Sequence, residues 1–142
     1  MKMLVANDGS PAALAALRYA IDLASGLQSP SRSITLINVH EDAGLRRART
    51  YVGGDAVDGY LADLGKEELA EATALLDASG IEHHAEIRTG HVAQQIVDYA
   101  KEGAFDLIVL GAKGRSAIAD LLIGSVAQRV LAGAQLPVLL VK

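Results

Sequence analysis

Apolar residues in this chain gather in five short runs, separated by longer stretches of helical period. Met3 to Ala6 is too short for anything but a buried strand, and Asn7, Asp8 and Gly9 after it predict a turn. Ser10 ahead of Pro11 predicts a helix start, with serine as N-cap and proline at the first helical position. Leu14, Leu17, Ile21 and Ala24 then recur at helical spacing up to Gly26. A second strand spans Ile34 to Val39. A helix over about Tyr60 to Ser79 would turn Leu61, Leu64, Leu69, Ala72 and Leu76 inward and stop at Gly80. His83 to Arg88 reads as a third strand. Its partial alternation, with His84, Glu86 and Arg88 opposed to Ala85 and Ile87, predicts an exposed edge. Val92, Ile96, Val97 and Ala100 carry a third helix that closes near Gly103. Asp106 to Leu110 is a fourth strand, and its unbroken run from Leu107 predicts a central place. A last helix over Val126 to Leu131 leads to Pro137 and a final strand, Val138 to Val141.

One stretch has no period. From His40 to about Gly59 come Arg46, Arg47 and Arg49, then Tyr51, Gly53 and Gly54, which predict a long surface loop. Loops of that length inside compact domains commonly serve a function. The arginines would cover a bound anion or, by default, be solvated. Elsewhere strand and helix alternate. Right-handed crossovers then give an α/β three-layer sandwich, a parallel sheet with helices on both faces. No linker, repeat or low-complexity tract divides the chain, so residues 1–142 are expected to form a single domain.

Composition narrows the picture. With 51% apolar residues but one Phe and no Trp, the core must be built mainly from Val, Ile, Leu and Ala. That mix suits a parallel sheet under closely packed helices. The formal charge of -4 is spread along the chain, with no basic face for nucleic acid. The absence of cysteine removes disulfides, thiolate chemistry and Cys-based metal sites. No run approaches the ~20 apolar residues of a membrane span, so no membrane insertion is expected. MKMLVANDGS reads as a strand and turn rather than a signal peptide, which makes the cytoplasm the expected compartment.

The chemistry concentrates after Leu110, where the chain reads GAKGRSAIADLLIGSVAQRV. Gly111 ends a strand, Gly114 follows three residues on, and Gly124 and Ser125 precede a helical pattern. Ser125 with Gln128 has the spacing of a capping box. A strand end, a turn and a fresh helix N-terminus make an anion site, because free amides and the helix dipole point at it. The Ser125 hydroxyl, Lys113 and Arg115 would add to it. Each glycine taken alone is as well explained by the turn. The segment is neither the P-loop pattern nor the dinucleotide fingerprint, so composition and spacing name an anion and no particular ligand.

The spacing G-x-x-G, nine residues, G-S resembles the ATP-binding signature of the universal stress protein family. The resemblance extends over essentially the whole chain. It includes Asn7-Asp8-Gly9-Ser10 after the first strand, the Gly90 turn and the strand from Pro137 to Val141. It implies a five-stranded parallel sheet of order 3-2-1-4-5, the adenine nucleotide alpha-hydrolase-like, Rossmann-like fold. The first and fourth strands of that order flank the switch point where such folds bind ligands. The resemblance further implies an ATP site. Asp8 would contact the adenosine part, with Ala6 and Asn7 lining the same loop, and Val39 would wall the adenine. Gly111 and Gly114 would approach ribose and phosphates, and Gly124, Ser125 and Val126 would offer amides to the phosphates. Arg115 is the better placed of the two cations to touch a phosphate. Mg or Mn would accompany the ATP, held by phosphate and water oxygens rather than by a protein metal site. Asp120 suits a helix or surface role equally well.

Among the histidines, His83 and His84 are adjacent and face opposite ways along a strand, so they do not chelate one ion. His40 and His91 fall at the carboxyl end of the sheet, and His40 is a candidate ligand contact. No H-E-x-x-H, nucleophile elbow or evident acid–base pair occurs. Four roles remain open at this level: an ATP-binding regulatory or stress-response protein, a slow ATPase with at most weak hydrolysis or a phosphotransfer enzyme, a nucleotide-sensing accessory subunit of a transporter or other complex, and a member that has lost binding. The intact glycine motif argues against the last. The apolar final strand is an edge in the implied order, and the family pairs it antiparallel with a twofold mate. A homodimer is therefore expected, with tetramers as a further pairing.

Overall fold

Side chains alternate across a strand, so a strand buried on both faces must be apolar at every position. That rule organises the molecule. The computed structural model describes residues 1–41, 45–113 and 123–142, with backbone only at positions 45 and 46. The elements in chain order are β1 (Lys2–Ala6), α1 (Pro11–Gly26), β2 (Ser33–His40), α2 (Leu45–Val52), α3 (Gly54–Ser79), β3 (Glu82–Thr89), α4 (Val92–Glu102), β4 (Leu107–Gly111), α5 (Ser125–Gly133) and β5 (Val138–Val141). The five strands form one parallel sheet of order β3-β2-β1-β4-β5, as the family resemblance implies. β1 is central, with Val5 opposite Leu36 on one side and Val109 on the other. β4 is interior but one place off centre.

The alternation sends Met3, Val5 and Leu36 to one face, where they pack with Leu14 and Leu17 of α1 and with Leu69 and Leu76 of α3. It sends Leu4, Ile37 and Ile108 to the other face, against Ile96 of α4 and Val130 of α5. Each such side chain contributes about 1.5–3 kcal/mol when fully buried. β3 is an edge strand whose residues are exposed or half-buried, as its alternating polarity predicts.

Local signals set most of the boundaries. Ser10 accepts a hydrogen bond from the Ala13 amide at 3.2 Å, and Pro11 opens α1. Gly80 ends α3. Leu64, expected inward, is only half-buried, while Leu61, Leu69, Ala72 and Leu76 are buried.

Residues 40–59 depart from the predicted loop. They contain α2 and the start of α3, broken only at Gly53, which takes φ 85. Leu, Arg and Ala are good helix formers, and three arginines in eight residues hide the amphipathic period. Gly54 and Gly59, read as loop residues, lie inside α3. Arg49 pairs with Asp58 across the two helices, so it belongs to a helix hairpin rather than to a loop. Both partners are well exposed, and such a pair contributes little to stability. α5 also runs longer than the predicted Val126 to Leu131, because it starts at Ser125 and ends at Gly133.

Candidate functional site

From β1 the chain moves outward to β2 and β3, then returns to the opposite side for β4 and β5. The crevice beyond the carboxyl ends of β1 and β4 is therefore the switch point of the sheet, where open α/β folds take ligands.

The turn after β1 is tied down from within. The Asn7 amide donates to the Ile37 carbonyl at 2.9 Å, carrying the ladder one residue past the strand. Asn7 Oδ1 accepts from the Gly9 amide at 2.8 Å, and Asp8 Oδ1 accepts from the Ser10 amide at 2.9 Å. Side chains that accept from the amide two residues on are the natural chemistry of Asn and Asp in turns. Gly9 supplies the left-handed φ of 81° between them. One carboxylate oxygen of Asp8 is thus spent on its own turn. The other has no partner among the described residues, and Asp8 is half-exposed. It is a pre-set acceptor for a hydroxyl or amine.

The far wall is the start of α5. The Ala112 amide donates to the Val141 carbonyl at 2.8 Å, and the Gly124 amide donates to the Ala112 carbonyl at 2.6 Å. These two bonds hold the helix N-terminus beside the end of β4. The expected capping box does not form. Gly124 is the N-cap, Ser125 is the first helical residue, and the Gln128 carboxamide donates to the Ile123 carbonyl at 2.9 Å. The reason is register: with Gly124 half-in, the serine hydroxyl sits one residue too late to cap. The amides of Ser125, Val126 and Ala127 therefore have neither an intrahelical acceptor nor a side-chain cap among the described residues, and amides at the positive end of a helix dipole suit an anion. The Gly124 amide, already spent on Ala112, is not among them.

Gly111 owes its identity to packing. A Cβ there would lie 2.9 Å from both the carbonyl carbon and oxygen of Ala12, in the first turn of α1. Only a glycine lets α1 approach the end of β4 so closely.

The structure brings Ala6, Asn7, Asp8, Val39, Gly111, Gly124, Ser125 and Val126 to one end of the sheet. Ala6, Val39 and Val126 pack against the same apolar cluster, on the α4–α5 face. Lys113 follows Ala112 and is half-buried. Gly114, Arg115 and Asp120 lie outside the described residues. His40 closes β2, its carbonyl accepts from the Gly90 amide at 2.9 Å, and its Nε2 is buried with no partner among the described residues. His91 caps no amide of α4. His83 is at the opposite end of the sheet, held by the Ile81 carbonyl at 2.8 Å and by Asp77 at 2.9 Å.

Asn38 was missed from the sequence. It is 1% exposed, and its Nδ2 donates to the Asn7 carbonyl at 3.0 Å and to Glu68 Oε2 at 2.9 Å. The available signal was an asparagine inside the apolar run LINV, since buried polar residues are the informative ones.

Two surface hollows of about 410 and 430 Å³ lie at the amino end of the strands instead. The first is walled by Lys2, Glu82, His83, His84, Glu102 and the last turn of α4, so side chains of both signs and the negative end of a helix dipole face it. Tyr99, which also lines it, has its hydroxyl pKa pushed above the ordinary value, first by burial and then by Glu86. The switch point suits a phosphate through the α5 amides, which have no partner among the described residues.

Comparison with known proteins agrees with the geometry. The chain is 31% identical over 141 residues to a universal stress protein of Methanocaldococcus jannaschii, covering 99% of this chain and 81% of that one. The universal stress protein UspA from Lactobacillus plantarum superposes with a TM-score of 0.73 at 28% identity, over 100% of this chain and 97% of that one. A universal stress protein in complex with cAMP gives 0.71 at 24% identity, over 100% and 97% of the two chains. A family member from Arabidopsis thaliana with AMP bound gives 0.68 at 17% identity, over 100% and 91%. Because the family's pattern matches from residue 1 to residue 142, on a sheet whose strand order it shares, this chain belongs to the universal stress protein family.

Proposed function

We propose that the chain binds ATP in the crevice between β1 and β4 and acts as a nucleotide-dependent regulatory protein of the stress response. The observation that carries this reading is the facing pair at the switch point. On one side stands the Asn7–Ser10 turn, with an open carboxylate oxygen on Asp8. On the other stands an α5 N-terminus whose first three amides have no cap among the described residues. The first suits the hydroxyls or exocyclic amine of adenosine, and the second suits phosphates. The apolar side chains of Ala6, Val39 and Val126 offer a wall for the base. Two structural neighbours hold cAMP or AMP, which supports an adenine nucleotide as the ligand class. Mg²⁺ or Mn²⁺ would ride on phosphate and water oxygens and neutralise the phosphate charge. The role is holding nucleotide, with regulation as the output.

Titration calorimetry with ATP in the presence of Mg²⁺ is expected to show one site per chain. A ligand at a hundred times its Kd should also stabilise the fold by about 2.7 kcal/mol, seen as a raised thermal midpoint. No heat and no thermal shift with millimolar ATP, ADP or AMP would overturn the reading.

The same reading includes a homodimer through the strand from Pro137 to Val141, with dimers pairing into tetramers. β5 pairs with β4 along one edge, and its four residues are Val, Leu, Leu and Val. A second copy pairing antiparallel along the outer edge would satisfy it. Light scattering at micromolar concentration should return twice or four times the 14.8 kDa chain mass, and a monomer would refute the pairing.

A further inference from the structure

Asn7, just past the end of β1, and Asn38, on the neighbouring β2, lie at the carboxyl end of the sheet, 3% and 1% exposed. Their partners settle which way each amide faces. Asn38 Nδ2 meets two acceptors, the Asn7 carbonyl at 3.0 Å and Glu68 Oε2 at 2.9 Å, so only its NH₂ end fits there. Asn7 Oδ1 meets a donor, the Gly9 amide at 2.8 Å, so only its oxygen end fits. The remaining ends, Asn38 Oδ1 and Asn7 Nδ2, are buried without a partner among the described residues. Stability alone would favour apolar side chains here, as at Val5 and Leu36 two residues earlier on the same face. Buried polar groups with unmet hydrogen bonds call for another reason, and function is the usual one.

What the two asparagines define is the peptide between Asn7 and Asp8. Asn38 grips its carbonyl, and the Asn7 side chain folds the following turn onto Gly9. Glu68 of α3 holds Asn38 from the other side. We propose that Asn38, braced by Glu68, is a positioning residue: it fixes the Asn7–Asp8 peptide and thereby the Asp8 carboxylate that receives the adenosine end of the nucleotide. The proposal rests on the ATP reading above, and it ties occupancy of that end to α3.

Two partial ligands separate the halves of the site. Adenosine addresses the Asp8 half, and inorganic tripolyphosphate addresses the α5 half. Asn38→Leu is expected to weaken adenosine and ATP alike by about tenfold, the scale of one lost hydrogen bond to an ordered group, and to leave tripolyphosphate within about twofold. Glu68→Ala should act in the same direction. Glu68→Gln should retain affinity, because its amide oxygen still accepts from Asn38 Nδ2. Glu68 is half-exposed, so its pair of variants keeps the test open should the leucine variant fail to fold. Equal losses for adenosine and tripolyphosphate would mean general loosening and overturn the proposal. So would unchanged adenosine affinity in a folded Asn38→Leu or Glu68→Ala chain. If the native chain binds neither ligand, the ATP reading itself falls, and the proposal with it.

Discussion

Ser125→Pro is expected to lower ATP affinity by about a hundredfold while shifting the thermal midpoint of the ligand-free chain by no more than about two degrees. The substitution is chosen to separate ligand from fold. Ser125 is the first residue of α5, the one helical position where proline is at home, because the amide it lacks has no intrahelical acceptor. The residue before a proline must be extended, and Gly124 already has φ -69 and ψ 160. The helix therefore keeps its geometry. The ligand loses one backbone donor and one hydroxyl at the positive end of the dipole. A hydrogen bond to a charged group contributes about 1.5–3 kcal/mol, which is a factor of roughly ten to a hundred or more in affinity. Ser125→Ala removes the hydroxyl alone and should cost only about a few-fold. Calorimetry on the two variants, with thermal melts beside it, decides the matter. Native-like ATP affinity in the proline variant would remove the phosphates from α5.

Gly111→Val is expected to destabilise the fold by about 3 kcal/mol, a large part of the roughly 5–15 kcal/mol that a domain of this size possesses. The first added carbon already lies 2.9 Å from two backbone atoms of Ala12 and 3.1 Å from its Cβ. Backbone does not step aside as the end of a flexible side chain does. α1 is pinned at this point by the Ser10 cap and by Pro11, so relief must come from parting α1 and β4. Those elements share the core around Leu14, Leu17 and Val109. Urea unfolding without ligand should show a much lower midpoint or no folded baseline, and a native midpoint would show the packing argument to be wrong. The consequence for function is direct. Loss of nucleotide in a Gly111 variant reports on α1 packing, so the ligand question belongs at position 125.

Much of the fold is legible in the chain because its elements obey local rules. Met3 to Val5 and Leu107 to Leu110 are continuous apolar runs because their strands are covered on both faces. His83 to Arg88 alternates because β3 is covered less. Ser10-Pro11 and Gly80 mark helix ends through hydrogen bonds and backbone preferences that act within a few residues. The rule fails between His40 and Gly59, where glycines and arginines concealed α2 and the start of α3. Glycine lowers helix propensity, but tertiary packing of Val57 and Leu61 outweighs it.

The candidate site divides the same way. The residues of the two loops were visible as motifs, and the expectation of an anion before α5 came from the pattern of a helix start after a strand. The capping box looked right by spacing and does not form. Which residue becomes the N-cap is decided by the Gly124-to-Ala112 bond, and that bond exists only once β4 and α5 are side by side.

What the sequence determined by itself is the alternation of strands and helices, a core built mainly from aliphatic side chains, and a helix N-terminus after the fourth strand. Each of these depends on contacts within a turn or two of chain. What the tertiary structure alone decided is which of those features meet. The Asp8 turn and the start of α5 share one end of the sheet because β1 and β4 are neighbours more than a hundred residues apart. Gly111 is required because α1 crosses its strand end. Asn38 matters because Asn7 and Glu68 arrive from β1 and α3 to share its amide. Interactions between distant segments leave no period to read, since each partner's sequence is compatible with many neighbours until the sheet assembles and selects one.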